Sequence, residues 1–464
     1  MPPSVQGAIR RHASAPRRSA SHAALPGVEL HLAGRDLVLR FGTPAPGTWT
    51  RSFTAEVAQL VARCRADARA ARLVLTGARL FDDDDGHPDL SPLLDAIAAP
   101  GIPVHADMPG DAMGSGLELA LACHTRAAAP DAKLGFPGIR AGRLPVNGGI
   151  ARLVRLVAPE AVLEMVAFAT QVPAPLAMRL GLTGVSGERA PARIDPRPLH
   201  AALRRRAPGE AAPQAALQAL LHALAMPPQR ALAETRTLAG ALAASPQGEA
   251  LRHATRAAAI PPAPDALARL RWSLLREAIH LVDEGAAPQA VDLALRRFGF
   301  TVPPLAAADR DGLDVVAQAC VDPDPDAWRH YSPLLDLLID AGRTGRAAGA
   351  GWYRYDPADP RPRPDPALLP LLAESAASAR RRRCAMDEAE ITARCLAALA
   401  GGAAALIAGG HASLAVDGLS LALGFPRWRG GIWHYVQATG PASIAARLAA
   451  MPTAAPPAAP LLAA

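Results

Sequence analysis

Residues 110–149, GDAMGSGLELALACHTRAAAPDAKLGFPGIRAGRLPVNGG, are the one stretch where glycines, a carboxylate in apolar surroundings and helix starts converge. Gly114-Ser115-Gly116 is a small-residue turn feeding the apolar segment 117–123, and small residues at a helix start let a ligand approach the main chain closely. Within that segment Glu118 stands among Leu117, Leu119, Ala120 and Leu121. Such a carboxylate is paired, solvated at the wall of a site, or poised with a raised pKa for proton transfer. It can equally be a helix N-terminal acid favoured by the macrodipole. Further on, Pro145 and Gly148-Gly149 open a helix expected over 150–157, whose start can face an anionic ligand or mark a tight turn.

Working outward, residues 28–77 read as a short strand pair, a helix over 54–71 and a buried strand beginning at Leu73. Strand, helix, strand at this spacing is a crossover unit of a parallel sheet. Residues 189–262 are Ala/Leu/Arg helices interrupted at Pro208, Pro213 and Pro227-Pro228.

A chain of 464 residues suggests several domains, and with half of them hydrophobic but only 4% aromatic, Ala, Leu and Val must build the core. No uninterrupted apolar run reaches the length of a membrane span, so none is expected. The formal charge of +7 is carried by arginine, Lys133 being the sole lysine. The arginines are dispersed, and the clusters at 204–206 and 380–383 lack interleaved aromatics, which argues against nucleic-acid binding. Cys64, Cys123, Cys320, Cys384 and Cys395 show no metal or redox spacing. They read as reduced thiols of a cytoplasmic protein, with no metal site. Residues 1–27 hold arginines, serines and alanines and no acid, and read as a disordered basic tail rather than a transit peptide.

GSGLELALACHTRAAAPDAKLGFPGI, followed by GRLPVNGGIARLVRLV and PAPLAMRLGLTG, resembles the core of the crotonase (enoyl-CoA hydratase/isomerase) superfamily. The resemblance implies an α/β crotonase-like spiral of repeated ββα units over 28–188. It makes Glu118 the catalytic carboxylate, places an oxyanion hole on the backbone of Ser115 and Gly116, and lines the thioester site with Gly114, Phe136, Gly138, Pro145, Gly148 and Gly149. Hydration of an enoyl thioester needs a second carboxylate as general acid, and the family pattern puts it where Gly138 stands. Losing a general acid costs roughly 10²- to 10⁴-fold, and a damaged oxyanion hole roughly another 10² to 10³. His124, Asp107, Asp111 and Asp131 are the substitutes in reach of the sequence, each as readily a turn, cap or surface residue. The first half of the hole would come from the loop holding Phe81 and the aspartates at 82–85, whose charges repel an enolate. A solvated acidic loop is the preferred reading there.

From LARLRWSLLREAIHLVDEGAAPQAVDLAL onward the chain resembles the helical C-terminal domain of 3-hydroxyacyl-CoA dehydrogenases, reached through a helical linker at 189–262. Val291-Asp292 precedes Gly299-Phe300 at the spacing at which Val416-Asp417 precedes Gly424-Phe425, so two all-α copies are expected, at 263–356 and 357–452, before a tail at 453–464. Where the family offers an Asn before Glu-Ala, this chain has Arg276, and Gly401-Gly402 in the second copy. No Gly-x-Gly-x-x-Gly follows a strand, so no nicotinamide site is expected. The implied function is acyl-CoA thioester binding in the multifunctional β-oxidation family, with weak or altered hydratase/isomerase chemistry. Coenzyme A enters only as part of the substrate, and no other cofactor is expected. The alternative is an assembly or regulatory subunit that holds a thiolase or an intact multifunctional subunit, or forms a homo-oligomer.

Overall fold

The computed structural model describes residues 25–42, 50–67, 69–77, 89–184, 195–319, 332–378 and 383–450. The expectations for the N-terminal tail through residue 24, for Phe81 with the aspartates at 82–85, for Cys320 and for the tail beyond 450 lie outside the described residues. The chain divides into two compact units, residues 1–248 and 249–464.

The first unit opens with the antiparallel hairpin β1 (Val28–Ala33) and β2 (Asp36–Phe41), then α1 (Arg51–Arg65), β3 (Arg72–Thr76), α2 (Ser91–Ala98) and β4 (Val104–Met108). Next come β5 (Ala112–Met113), α3 (Gly114–Ala122), β6 (Thr125–Ala128) and β7 (Lys133–Gly135). Strands β2, β3, β4 and β6 lie parallel, in the sheet order β1-β2-β3-β4-β6. In β3 Leu73, Val74, Leu75 and Thr76 are all buried, the continuous run of a strand covered on both faces, whereas in β4 buried Val104, Ala106 and Met108 alternate with half-buried His105 and Asp107. Helix α1 begins three residues earlier than its periodicity suggests because Thr50 Oγ1 accepts the Phe53 N–H at 3.2 Å. It ends at Arg65 because a turn closed by Ala70 N–H to Asp67 O redirects the chain into β3.

After β7 come α4 (Gly149–Leu153), α5 (Pro159–Ala167), β8 (Val172–Pro173) and α6 (Ala174–Leu180). Strands β5, β7 and β8 form a second, smaller sheet. Helix α4 is shorter than the expected 150–157, since Arg155 N–H turns back to Arg152 O in a tighter turn. Helices α7 (Arg197–Arg206), α8 (Ala211–Ala225) and α9 (Pro228–Ala244) follow. Within the segment read as a helical linker, α8 packs on α4, α5 and α9, burying Ala216, Leu217 and Leu220.

Helix α10 (Pro246–Ala258) spans the boundary between the units. The second unit contains α11 (Pro264–Glu284), α12 (Pro288–Phe298), α13 (Pro304–Asp311), α14 (Leu313–Ala319), α15 (Leu334–Asp340), the hairpin β9 (Arg354–Asp356) and β10 (Asp359–Arg363), and α16 (Leu369–Ser378). It closes with α17 (Glu388–Ala408), α18 (Ser413–Ala422), α19 (Ile432–Thr439) and α20 (Pro441–Ala450). The two segments read as separate copies share one hydrophobic core running from Ala266 to Ala445. Its centre is the pairing of α11 with α17, each 21 residues long. A Cβ on Gly402 of α17 would collide with Ser273 of α11, so glycine there lets the two backbones approach.

Helix α17 is long and apolar enough to cross a membrane by length and composition, but 67% of its apolar window is buried inside this unit, as expected for a core helix. The sequence motif Val-Asp does the same work twice. Asp292 accepts the N–H groups of Leu305 and Ala306, at 3.0 Å each, at the start of α13. Asp417 accepts those of Trp433, at 2.7 Å, and His434 at the start of α19. In both cases the carboxylate satisfies the otherwise unpaired donors of the first helical turn.

Candidate active site

Helix α3 grows directly out of β5, and its residues from Gly114 to Leu121 are all buried. Gly114 makes the entry with φ of 51°, a left-handed value that suits glycine. Ser115 and Gly116 therefore lie in the first turn of a buried helix, where backbone N–H groups point out of the helix end.

One turn further in, the Glu118 side chain is fully buried. Its Oε1 accepts the backbone N–H groups of Asn147 and Gly149, both at 2.8 Å, and its Oε2 accepts Asn147 Nδ2 at 3.2 Å. Burial pushes the carboxyl up from 4.5 to about 7, against the pull of these donors and of the Arg152 guanidinium. Loss of hydration outweighs the three hydrogen bonds, so the group exchanges its proton near neutrality.

The loop that holds Glu118 is itself tied down. Asn147 Oδ1 accepts the Leu90 N–H at 3.3 Å, Arg152 Nη1 donates to Asn147 O at 2.7 Å, and Arg236 Nε donates to Val146 O at 3.1 Å. Gly148 has φ of 88°. A Cβ on Gly149 would stand 2.9 Å from Glu118 Cγ and 3.2 Å from the ring of Phe136. Glu118, Gly149 and Phe136 thus meet at one point, with Gly148 beside them, and Pro145 is buried in the same loop.

Gly138 is half-buried in the short 3-10 turn Pro137–Ala141, next to Arg143. The substitute acids have local work of their own. His124 Nδ1 accepts the Val104 N–H, Asp107 accepts the Thr76 hydroxyl, Asp111 accepts the Lys133 N–H, and Asp131 is exposed. None of the four is hydrogen-bonded to Glu118 among the described residues. Cys123 is no nucleophile either, since burial pushes its thiol up to about 12.

Sequence reasoning missed Asn147, the residue that supplies two of Glu118's three donors. The only trace of it was a polar side chain between Pro145 and Gly148-Gly149. It missed Arg143 and Arg152 for the same reason: one arginine among many carries no mark of position. A carboxyl so held can take a proton from carbon or water at neutral pH.

Residues 38–247 match the enoyl-CoA hydratase/isomerase family, and residues 266–355 match the 3-hydroxyacyl-CoA dehydrogenase C-terminal domain. The chain is 35% identical over 198 residues to the peroxisomal bifunctional enzyme of Danio rerio, covering 39% of this chain and 27% of that protein. With the Homo sapiens enzyme of the same name it is 32% identical over 181 residues, covering 35% and 25%. The chain thus spans about a quarter of the length of these relatives. A putative enoyl-CoA hydratase from Streptomyces avermitilis covers 50% of this chain and 89% of its own, at 21% identity and a TM-score of 0.35. By the two family matches, residues 38–247 form an enoyl-CoA hydratase/isomerase-type (crotonase-like) region and residues 266–355 a 3-hydroxyacyl-CoA dehydrogenase C-terminal-type region.

Proposed function

We propose that the chain binds acyl-CoA thioesters of fatty-acid β-oxidation and performs at most slow or altered hydratase/isomerase chemistry, with Glu118 as its catalytic carboxylate. The observation that carries this reading is the buried Glu118 carboxyl, held by Asn147 and Gly149 and pushed up to about 7. Such a group serves as a general base at neutral pH. Position 138 offers no proton donor, so an enolate formed at the site lacks the acid that the family pattern places there. Ser115 and Gly116 are proposed to bind the thioester carbonyl through backbone N–H groups. Gly114, Phe136, Pro145, Gly148 and Gly149 would wall the acyl group. Autonomous NAD-dependent dehydrogenase activity is not part of this proposal, because the sequence contains no dinucleotide-binding fingerprint. Residues 357–452 are proposed as a degenerate second copy of the domain at 263–356, a reading supported by the paired roles of Asp292 and Asp417.

The test is crotonyl-CoA hydration by the purified full chain. Expected is a rate about 10²- to 10⁴-fold below that of a two-carboxylate hydratase, reduced to background by Glu118→Gln. A fast rate, or activity that survives Glu118→Gln, sinks the reading. Absence of any thioester binding would instead leave the assembly-subunit alternative.

A further inference from the structure

A side chain at position 138 would meet Arg143 first. A Cβ there would stand 3.5 Å from Arg143 Cβ, 3.6 Å from its Nε and 3.8 Å from its carbonyl oxygen, all ordinary contact distances. The main chain fixes this arrangement: Arg143 N–H donates to Gly138 O at 2.9 Å, after the left-handed Gly142 has turned the chain back. Arg143 is half-buried, and its Nε is buried with no hydrogen-bond partner among the described residues. A guanidinium N–H keeps its proton, and leaving it buried without an acceptor is costly. The arrangement asks for an acceptor, and the bare Cα of Gly138 leaves room for one.

The geometry points to a carboxylate on the acyl chain of the ligand, so that the site takes a dicarboxylyl-type thioester whose anionic end is read by Arg143 across Gly138. An anion fits better than a neutral acceptor, since the planar guanidinium fork matches a carboxylate and a partly buried cation needs compensating charge. An acyl carboxylate fits better than a nucleotide phosphate because of position. The turn carrying Gly138 starts just after Phe136, whose ring packs where Gly149 meets Glu118, and Glu118 is the group that works at acyl carbons. The inference rests on the thioester site proposed above.

The experiment is calorimetric binding of glutaryl-CoA and of butyryl-CoA to the full chain. Expected is about tenfold or greater preference for glutaryl-CoA, the scale of hydrogen bonds to a charged group. Arg143→Gln should bring the two affinities within about twofold of each other, with Arg143→Lys falling between. Equal affinities in the unaltered protein overturn the inference without any variant, and so does a preference that survives Arg143→Gln. Binding of butyryl-CoA with no preference sinks this inference alone. Failure of both thioesters to bind sinks the thioester reading and takes the inference with it.

Discussion

Gly149 donates its backbone N–H to Glu118 Oε1 at 2.8 Å, and the Cβ it lacks would stand 2.9 Å from Glu118 Cγ. The same residue therefore holds the carboxylate and makes room for it. Gly149→Ala must push Glu118 or the Phe136 ring, both buried, and neither has slack. Overpacking of this kind costs about 1–3 kcal/mol. The expected outcome is a fall of that size in urea unfolding, together with weakened thioester binding. Stability within about 0.5 kcal/mol of the parent would show that the loop yields freely.

The raised Glu118 carboxyl makes stability depend on pH in a stated direction. Its ordinary value of 4.5 applies to the unfolded chain, and about 7 to the folded one. The neutral form is favoured by folding, so its contribution is full below 4.5 and is lost as pH rises through 7. At about 1.4 kcal/mol per unit of pH, the loss is on the order of 3 kcal/mol. Asp292 and Asp309, both pushed up to about 6 by burial, act with the same sign. The measurement is hence a comparison of unfolding free energies at pH 5 and 8 in the parent and in Glu118→Gln. Any constant effect of the altered hydrogen bonds cancels between the two pH values, and the Gln variant should show a shallower decline. Equal declines would mean that Glu118 is ionised throughout.

The parts of the fold written in local pattern were legible. The β1/β2 hairpin, the apolar run of β3 and the glycine turn into α3 all follow from spacing and residue type, and Glu118 stood out as an acid in an apolar segment. What decides the site lies in contacts between residues distant in sequence. Asn147 reaches Glu118 across 29 positions, and no periodicity announces that. The repeated Val-Asp was visible as a spacing, but its physical meaning, a carboxylate capping the next helix of its own copy, appears only when Asp292 meets Leu305 and Asp417 meets Trp433. The division of the helical half into two copies was likewise a sequence regularity. Packing fuses them, because α11 and α17 bury their apolar faces on each other.

Between those helices Arg394 donates to Glu277 Oε1 and to Glu284 Oε2, each at 2.6 Å, with Arg394 and Glu277 almost fully buried. A paired buried charge is near neutral for stability, but an unpaired one is not. Arg394→Ala takes a cation away from the buried Glu277 carboxylate and should destabilise the second unit by about 3–5 kcal/mol. The double variant Glu277→Leu with Arg394→Leu should recover most of that loss. Thermal unfolding of both variants checks the pair. A loss under about 1 kcal/mol for Arg394→Ala would mean that water reaches Glu277.

Reinstating a carboxylic acid at position 138 tests the division of labour in the site. Space is available, since the nearest atoms to a Cβ there are those of Arg143 at 3.5 Å and beyond. Yet a carboxyl beside a guanidinium loses its proton more readily, by about 1–3 pH units, and an ionised carboxylate cannot serve as a general acid. Gly138→Glu alone should therefore fold and pair with Arg143 while hydrating crotonyl-CoA little faster than the parent. Adding Arg143→Gln removes that pull, so a larger fraction of the new carboxyl carries a proton at any given pH. The double variant should exceed either single one by about 10²-fold in kcat, the lower bound for a positioned acid. Gly138→Glu should also abolish any preference for glutaryl-CoA, because its carboxylate would fill the place proposed for that of the ligand. Equal kcat values for Gly138→Glu and the double variant would show that Arg143 does not govern the proton at this position.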